Sequence, residues 1–360
     1  MSIYLDYNAT APVRPEVVSW MTERFAAPCN ASSVHSYGRK AKQWLEEARK
    51  TIAAAICVFP QEIIFTASGT EANHMALRGI PGRTVLVSAV EHSSVLCQSA
   101  RHIPVDNNGM VDLSKLDNML ANHPDSLLSV MLANNEIGVI QPISEIAVLC
   151  KKYGALLHTD AVQALGKIPI DFGLLGCDMM TFSAHKMGGP VGAACLVVKQ
   201  NIPIQPLLMG GGQELRRRAG TENVPAIAGF AKAVELMDFS HMQQLRGWLD
   251  TMEHVIANHG GAIIPGEAPR LPHTSCIAMA NVSSEVQLMN FDLAGFAVSA
   301  GAACSSGRIE ASHVLSAMGL EKKVASAAIR VSGGWNTVEN DIISFTGQWI
   351  QTYKRLATNS

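Results

Sequence analysis

Short apolar runs alternate with longer stretches of helical spacing through much of this chain. The runs at 62–66, 84–89, 127–133, 155–159, 178–182 and 193–199 have the length of buried strands. Helical patterns at 43–56, 70–78 and 143–153 fall between them, and Gly154 stands where the last would end in a left-handed turn. Such alternation predicts parallel strands joined by right-handed crossovers, the pattern of an α/β domain. From about Pro225 one long helical pattern runs to Asn258 and stops at Gly260-Gly261. Further strands and helices follow at 274–281 and near Arg330. The chain therefore divides into a large domain over 13–241 and a smaller α+β domain made of 242–360 together with 1–12.

Composition narrows the class. With 360 residues, 48% of them hydrophobic, the chain can bury a core in each of two domains. A formal charge of -2 gives no global field that would favour nucleic acid or an anionic membrane, so a small-molecule substrate is expected. No run approaches the roughly 18 apolar residues of a membrane span, and the first residues lack a basic stretch followed by an apolar one. These features lead us to expect a cytoplasmic protein. The eight cysteines include no CxxC pair and no regular spacing, which fits a reducing compartment and mostly buried thiols.

Four polar clusters stand where candidate chemistry would sit, at the ends of predicted strands. Thr66-Ala67-Ser68-Gly69-Thr70-Glu71 is a small-residue turn from strand into helix, able to hold a phosphate on its N–H groups or simply to cap a helix. Asp160, directly after an apolar run, can pair with a protonated ring nitrogen or serve as an N-cap. Ser183-Ala184-His185-Lys186, followed by Gly188-Gly189-Pro190, offers a lysine able to form a Schiff base with an aldehyde cofactor, although a lone lysine is usually a solvated surface charge. Cys304 lies among the small residues of 299–307, too poor in apolar bulk for a core, so its thiol is expected to be exposed and open to reaction, unless this is only a turn that contains a cysteine.

At these residues the chain closely resembles the cysteine desulfurases of the NifS and IscS type, within the class V aminotransferase-like family. The resemblance includes Tyr4-Leu5-Asp6-Tyr7-Asn8-Ala9-Thr10, Glu91-His92, Asn134-Asn135-Glu136-Ile137-Gly138, Gly210-Gly211-Gly212-Gln213-Glu214, Arg218-Ala219-Gly220-Thr221 and Ile329-Arg330-Val331-Ser332. It implies the fold type I architecture of pyridoxal-phosphate enzymes, a large mixed-sheet domain with a smaller α+β domain. It also implies that Lys186 bonds pyridoxal 5'-phosphate and later moves the substrate Cα proton, and that Asp160 pairs with the ring nitrogen. Asn135 and Gln163 would bond the ring's oxygen side, and His92 would stack on the ring and assist proton transfer. Gly69, Thr70, Ser183 and His185 would hold the phosphate, with Thr221 reaching the phosphate of a neighbouring subunit in a homodimer. Arg330, with Asn135, would bind the carboxylate of L-cysteine. Cys304 would then take the substrate sulfur as a persulfide, leaving alanine, and hand it to an acceptor such as an iron–sulfur scaffold protein. The sequence ends at Ser360, short of the tail with which the IscS type contacts its scaffold, so the acceptor stays open.

Other features carry less. His35, His74, His102, His123 and His313 show no metal-ligand spacing, and no metal is expected. Gly210-Gly211-Gly212 lacks the lysine of a P-loop, and Arg216-Arg217-Arg218 reads as a solvated or subunit-contact stretch. The alternatives are a selenocysteine lyase or another class V aminotransferase-like enzyme, and, from another class, a catalytically silent sulfur-transfer scaffold.

Overall fold

A computed structural model describes residues 2–300 and 312–357; Cys304 lies outside the described residues. Strand β1 (Ile3–Tyr4) opens the chain. Strands β2 (Ile63–Thr66), β3 (Val85–Ser88), β4 (His102–Ile103), β5 (Leu127–Ser129), β6 (Leu156–Asp160), β7 (Met179–Ser183) and β8 (Ala194–Val198) form one sheet in the order β2-β8-β7-β6-β5-β3-β4. Neighbours are parallel from β7 across to β4, whereas β8 runs antiparallel to both β7 and β2. The sheet is mixed, as the resemblance implied.

Alternate residues of its strands enter different apolar clusters, because successive side chains point to opposite faces. Ile63, Phe65, Cys195 and Val197 join one cluster with Leu45 and Ile52 of helix Ser36–Ala55 and Phe230 of helix Val224–Glu235. Ile64, Leu196 and Val198 join another with Ala72, Met75 and Ala76 of helix Gly69–Arg78. Helices thus cover both faces, which is why the strands read as continuous apolar runs.

A second core gathers around the remaining strands, β9 (Gly261–Ile264), β10 (Thr274–Met279), β11 (Phe296–Ala297) and β12 (Ala328–Ser332). β12, β10 and β9 pair antiparallel, and β11 pairs parallel with β1. Leu245, Leu249 and Met252 of helix Phe239–Asn258 and Phe345 and Trp349 of helix Glu339–Ala357 pack there against Ile277, Ile329 and Leu5. The segment after Leu5 then leaves this core for the carboxyl ends of the main sheet, where Ala11 N–H donates to the His185 carbonyl at 2.8 Å.

Several element boundaries differ from the sequence expectation. The single helix expected to run from Pro225 to Asn258 is two, Val224–Glu235 and Phe239–Asn258, because Asp238 accepts the N–H groups of Ser240 and His241 and starts a new helix. The run 127–133 is laddered only over Leu127–Ser129, although the Val130 and Leu132 amides still donate to the carbonyls of His158 and Asp160. Helix Ser36–Ala55 begins well before residue 43, with His35 accepting from the Gly38 amide.

Candidate active site

Adjacent parallel strands β6 and β7 end on Asp160 and Ser183, so the residues after them open toward the same edge. Asp160 is buried. One of its carboxylate oxygens accepts the side-chain amide of Asn73 at 2.7 Å, and the other accepts the Val162 amide at 3.0 Å. Below it, His158 is held between the hydroxyls of Ser129 and Thr181, at 2.8 and 3.0 Å, and burial pulls its pKa down to about 4 despite the Asp160 charge.

Lys186 closes the short turn Ala184–Lys186 that follows β7. The turn is tight: a Cβ on Gly189 would stand 2.9 Å from the Ala184 carbonyl oxygen, so the position excludes side chains. Lys186 Nζ donates to the carbonyls of Asn8 at 2.6 Å and Ala9 at 2.8 Å. Burial, then the Arg330 charge, pull its pKa down to about 8, with Asp160 and Asp6 opposing. Lys167, fully enclosed beneath it, donates to the Lys186 carbonyl, and burial lowers that ammonium to about 7. His185 approaches the Thr10 hydroxyl at 3.3 Å and is pulled down to about 4 by burial and the two lysines.

Arg330, on β12, comes to the same edge from the smaller core. Its Nη1 donates to the Asn135 carbonyl and its Nη2 to Asp6 Oδ1, both at 2.7 Å, while its buried Nε has no partner among the described residues. Gln163 donates to the Asn8 carbonyl at 2.9 Å, and its Oε1 is likewise buried without a partner. His92 accepts the Ser94 amide on Nδ1 at 3.2 Å, which places the proton of the neutral ring on Nε2. Burial lowers its pKa, so the neutral form is favoured. Glu91 beside it is wholly buried and accepts the Met131 amide at 2.6 Å, and burial raises its carboxyl well above the ordinary value against that hydrogen bond.

The opposite flank is the start of helix Gly69–Arg78. Ser68 Oγ accepts the Glu71 amide at 3.1 Å and Glu71 accepts the Ala67 amide at 2.8 Å, a reciprocal cap. The N–H groups of Gly69 and Thr70 belong to the first turn, which the helix cannot satisfy internally. Gly69 lies close under Val162, where a Cβ would come within 3.2 Å. Arg218 pairs with Glu71 at 2.8 Å and ties the 210–221 segment to this helix start. Thr70 and Thr221 are both exposed.

The fold therefore brings Lys186, Asp160, His92, Gln163, His185, Ser183, Asn135 and Arg330 to one edge. The described residues on either side of 301–311 attach to the same group: Ser299 exchanges backbone hydrogen bonds with Arg330, and Ser312 Oγ donates to Glu136 Oε2 at 2.5 Å. His313 approaches the Glu91 carbonyl at 2.9 Å. Sequence reasoning gave no role to Asp6, Asn8, Asn73 or Lys167. Asp6 and Asn8 stand inside a motif that it quoted, but Asn73 and Lys167 left no local signal.

The aminotransferase class-V family profile matches residues 3–345. "Cysteine desulfurase IscS" of Dictyoglomus turgidum is 39% identical, over 94% of this chain and 91% of that protein. "Putative cysteine desulfurase IscS 1" of Bacillus subtilis is 37% identical over 98% of this chain and 99% of its own length. Among solved structures, a NifS-like protein from Rickettsia africae superposes with a TM-score of 0.91 at 36% identity, covering 98% of this chain and all of that one.

Proposed function

Given that this chain belongs to the aminotransferase class-V family and is a pyridoxal-phosphate-dependent cysteine desulfurase, we propose how its own residues divide the work. The site fits the cofactor on several counts. Two polar atoms, Gln163 Oε1 and Arg330 Nε, are buried without partners among the described residues at its edge, and a Cβ on Gly69 would be tight against Val162 at 3.2 Å, beside first-turn N–H groups that the helix cannot satisfy. The half-buried Lys186 has its pKa pulled down to about 8, so a usable fraction is neutral near physiological pH.

When bound, pyridoxal phosphate supplies an aldehyde that bonds amines and a ring that draws electrons from the substrate Cα. Asp160, fixed by Asn73 and the Val162 amide, would hold the ring nitrogen protonated. Asn135 and Gln163 would meet the ring oxygen, while Gly69, Thr70, Ser183 and His185 would meet the phosphate. Arg330 would take the cysteine carboxylate on N–H groups not used by Asp6 and the Asn135 carbonyl. Lys186 as a neutral amine would accept the Cα proton, with neutral His92 as a second proton carrier. The Cys304 thiolate then attacks the substrate sulfur: an S–S bond forms, the Cβ–S bond breaks, and its electron pair stays with the carbon skeleton, which is protonated and leaves as alanine.

The observation that carries this reading is the convergence of Lys186, Asp160 and Arg330 from β7, β6 and β12 on one buried edge. A single turnover with L-cysteine tests it. Alanine should appear and the Cys304 peptide should gain one sulfur atom, and Cys304→Ser should abolish both; a holoenzyme that releases alanine without loading Cys304 would refute the sulfur-transfer assignment. Selenocysteine run in parallel separates the lyase alternative.

Further parts of the proposal concern the surroundings. The persulfide passes to an acceptor protein such as an iron–sulfur scaffold. The protein works as a homodimer with Thr221 serving the neighbouring site; the exposed Met209 and Leu215 on the 209–221 rim support this. The division into 13–241 and 1–12 with 242–360 is supported by the separate core that Leu5 shares with residues from Met242 onward. A cytoplasmic location is supported by seven unpaired cysteines among the described residues. No described helix is long and apolar enough to cross a membrane.

A further inference from the structure

The segment Asp6–Ala11 meets Arg330, Asn135, Gln163, His185 and Lys186 of the site. Asn8 is its fixed point. The residue is 1% exposed, and every polar group it carries is engaged. Its amide donates to Ser332 Oγ at 3.0 Å, and its side-chain nitrogen donates to the Asn135 carbonyl and to Thr274 Oγ1, both at 3.0 Å. Its side-chain oxygen faces His273 Nε2 at 2.7 Å. Its carbonyl, together with that of Ala9, receives Lys186 Nζ, and it also receives the Gln163 amide. A buried side chain bonded to His273, to Thr274 of β10 and to the 134–138 turn, with the amide bonded to Ser332 of β12, thus fixes a backbone that meets the reactive nitrogen.

We propose that Asn8 is a positioning residue for Lys186: its pinned side chain holds the carbonyls of Asn8 and Ala9 as a two-acceptor seat for the Lys186 ammonium whenever Nζ is not bonded to cofactor. The inference rests on the reading of Lys186 as the Cα proton carrier. Two carbonyl oxygens accept from either form of the amine but bind the charged N–H groups of the ammonium more strongly, so the seat favours Nζ in the state that has just received a proton. It also keeps that nitrogen beside the site for its return. The other charged groups facing Lys186 are Arg330, Asp160 and Asp6, with Lys167, His185 and His92 close enough to feel its charge. The seat adds uncharged acceptors to that set.

Competitive acetylation of the full-length, cofactor-stripped chain across pH 6–10 tests the seat, with the Lys186 peptide read by mass against exposed Lys50. Losing charge-assisted acceptors should move the Lys186 midpoint to lower pH in Asn8→Ala and make Lys186 about fivefold more reactive at pH 7. Greater access alone would raise the rate without moving the midpoint, and that result overturns the proposal. Thr274→Val, which withdraws one Asn8 partner, should move the midpoint the same way by less and serves if Asn8→Ala does not fold. In the holoenzyme, Asn8→Ala should slow Cα deuterium exchange of L-alanine about tenfold while its binding changes less than about twofold; parallel loss of binding and thermal stability would mark a merely structural residue and overturn the seat. If Lys186→Ala leaves that exchange at the unmutated rate, the proton-carrier reading fails instead, and the acetylation midpoints still report on the seat.

Discussion

His158 illustrates how a single buried side chain contributes to the pH dependence of stability. Its folded-state pKa of about 4 lies below the ordinary 6.5, so between these values the unfolded chain binds more protons than the folded one. The contribution of His158 should therefore rise with pH through that window and level off above it at about 3 kcal/mol. His185, also drawn down to about 4, adds to the same slope. Urea midpoints at pH 4.5, 5.5 and 6.5 check this, and His158→Gln should flatten the rise; an unchanged slope would remove His158 as its source. Arg330 carries a functional counterpart. Arg330→Lys keeps the charge but loses the planar fork that also holds the Asn135 carbonyl and Asp6, so KM for L-cysteine should rise on the order of 100-fold. Steady-state alanine release measures it, and an unchanged KM would mean that the substrate carboxylate lies elsewhere. Asp160 and Lys186 could be picked out in the sequence because each is a charged residue just beyond an apolar run. Asn73 could not, since nothing local distinguishes it from any polar residue on a helix, and its partner Asp160 is 87 positions away.

At the scale of elements, the rim is held by one buried ion pair. Arg49, on helix Ser36–Ala55, meets Glu214 through two nitrogens at 2.9 and 2.8 Å, and Glu214 also accepts the Phe65 amide of β2 at 2.8 Å. Glu214, Leu215 and Arg216 all have positive φ, a left-handed conformation unfavourable for residues with side chains, so the pair holds this turn against its local preference. Glu214→Gln keeps the shape but leaves a buried guanidinium uncompensated, and should cost about 3 kcal/mol in urea unfolding. A cost below about 1 kcal/mol would show that the turn holds itself. The strands were legible because β2, β7 and β8 are buried along their length and read as short, mainly apolar runs. The break between helices Val224–Glu235 and Phe239–Asn258 was not, because apolar residues continue on either side of Asp238 and only its cap interrupts them. The left-handed turn at 214–216 was hidden for a different reason: its conformation comes from Arg49, far away in sequence.

For the whole molecule, the open question is whether each site is completed by a second copy of the chain. Pro206, Leu208, Met209, Gly210 and Arg216 line a surface depression of about 360 Å³, and Met209 and Leu215 stand 87% and 69% exposed beside it. Apolar side chains this open suit a covered surface. Thr221, on the same rim, is exposed, so a phosphate-binding role for it is most readily met across a two-fold contact. Complementation distinguishes service within one chain from service across two. Lys186→Ala should have no activity, and Thr221→Ala should lose most activity at limiting cofactor. In a mixed dimer that shares sites, one site combines both defects and the other has Lys186 from one chain and Thr221 from its neighbour, both intact. Random mixing makes half the dimers mixed, each with one intact site of two, so unfolding and refolding the two variants together should restore about a quarter of the unmutated rate. If Thr221 serves its own chain, every site keeps a defect and mixing restores nothing.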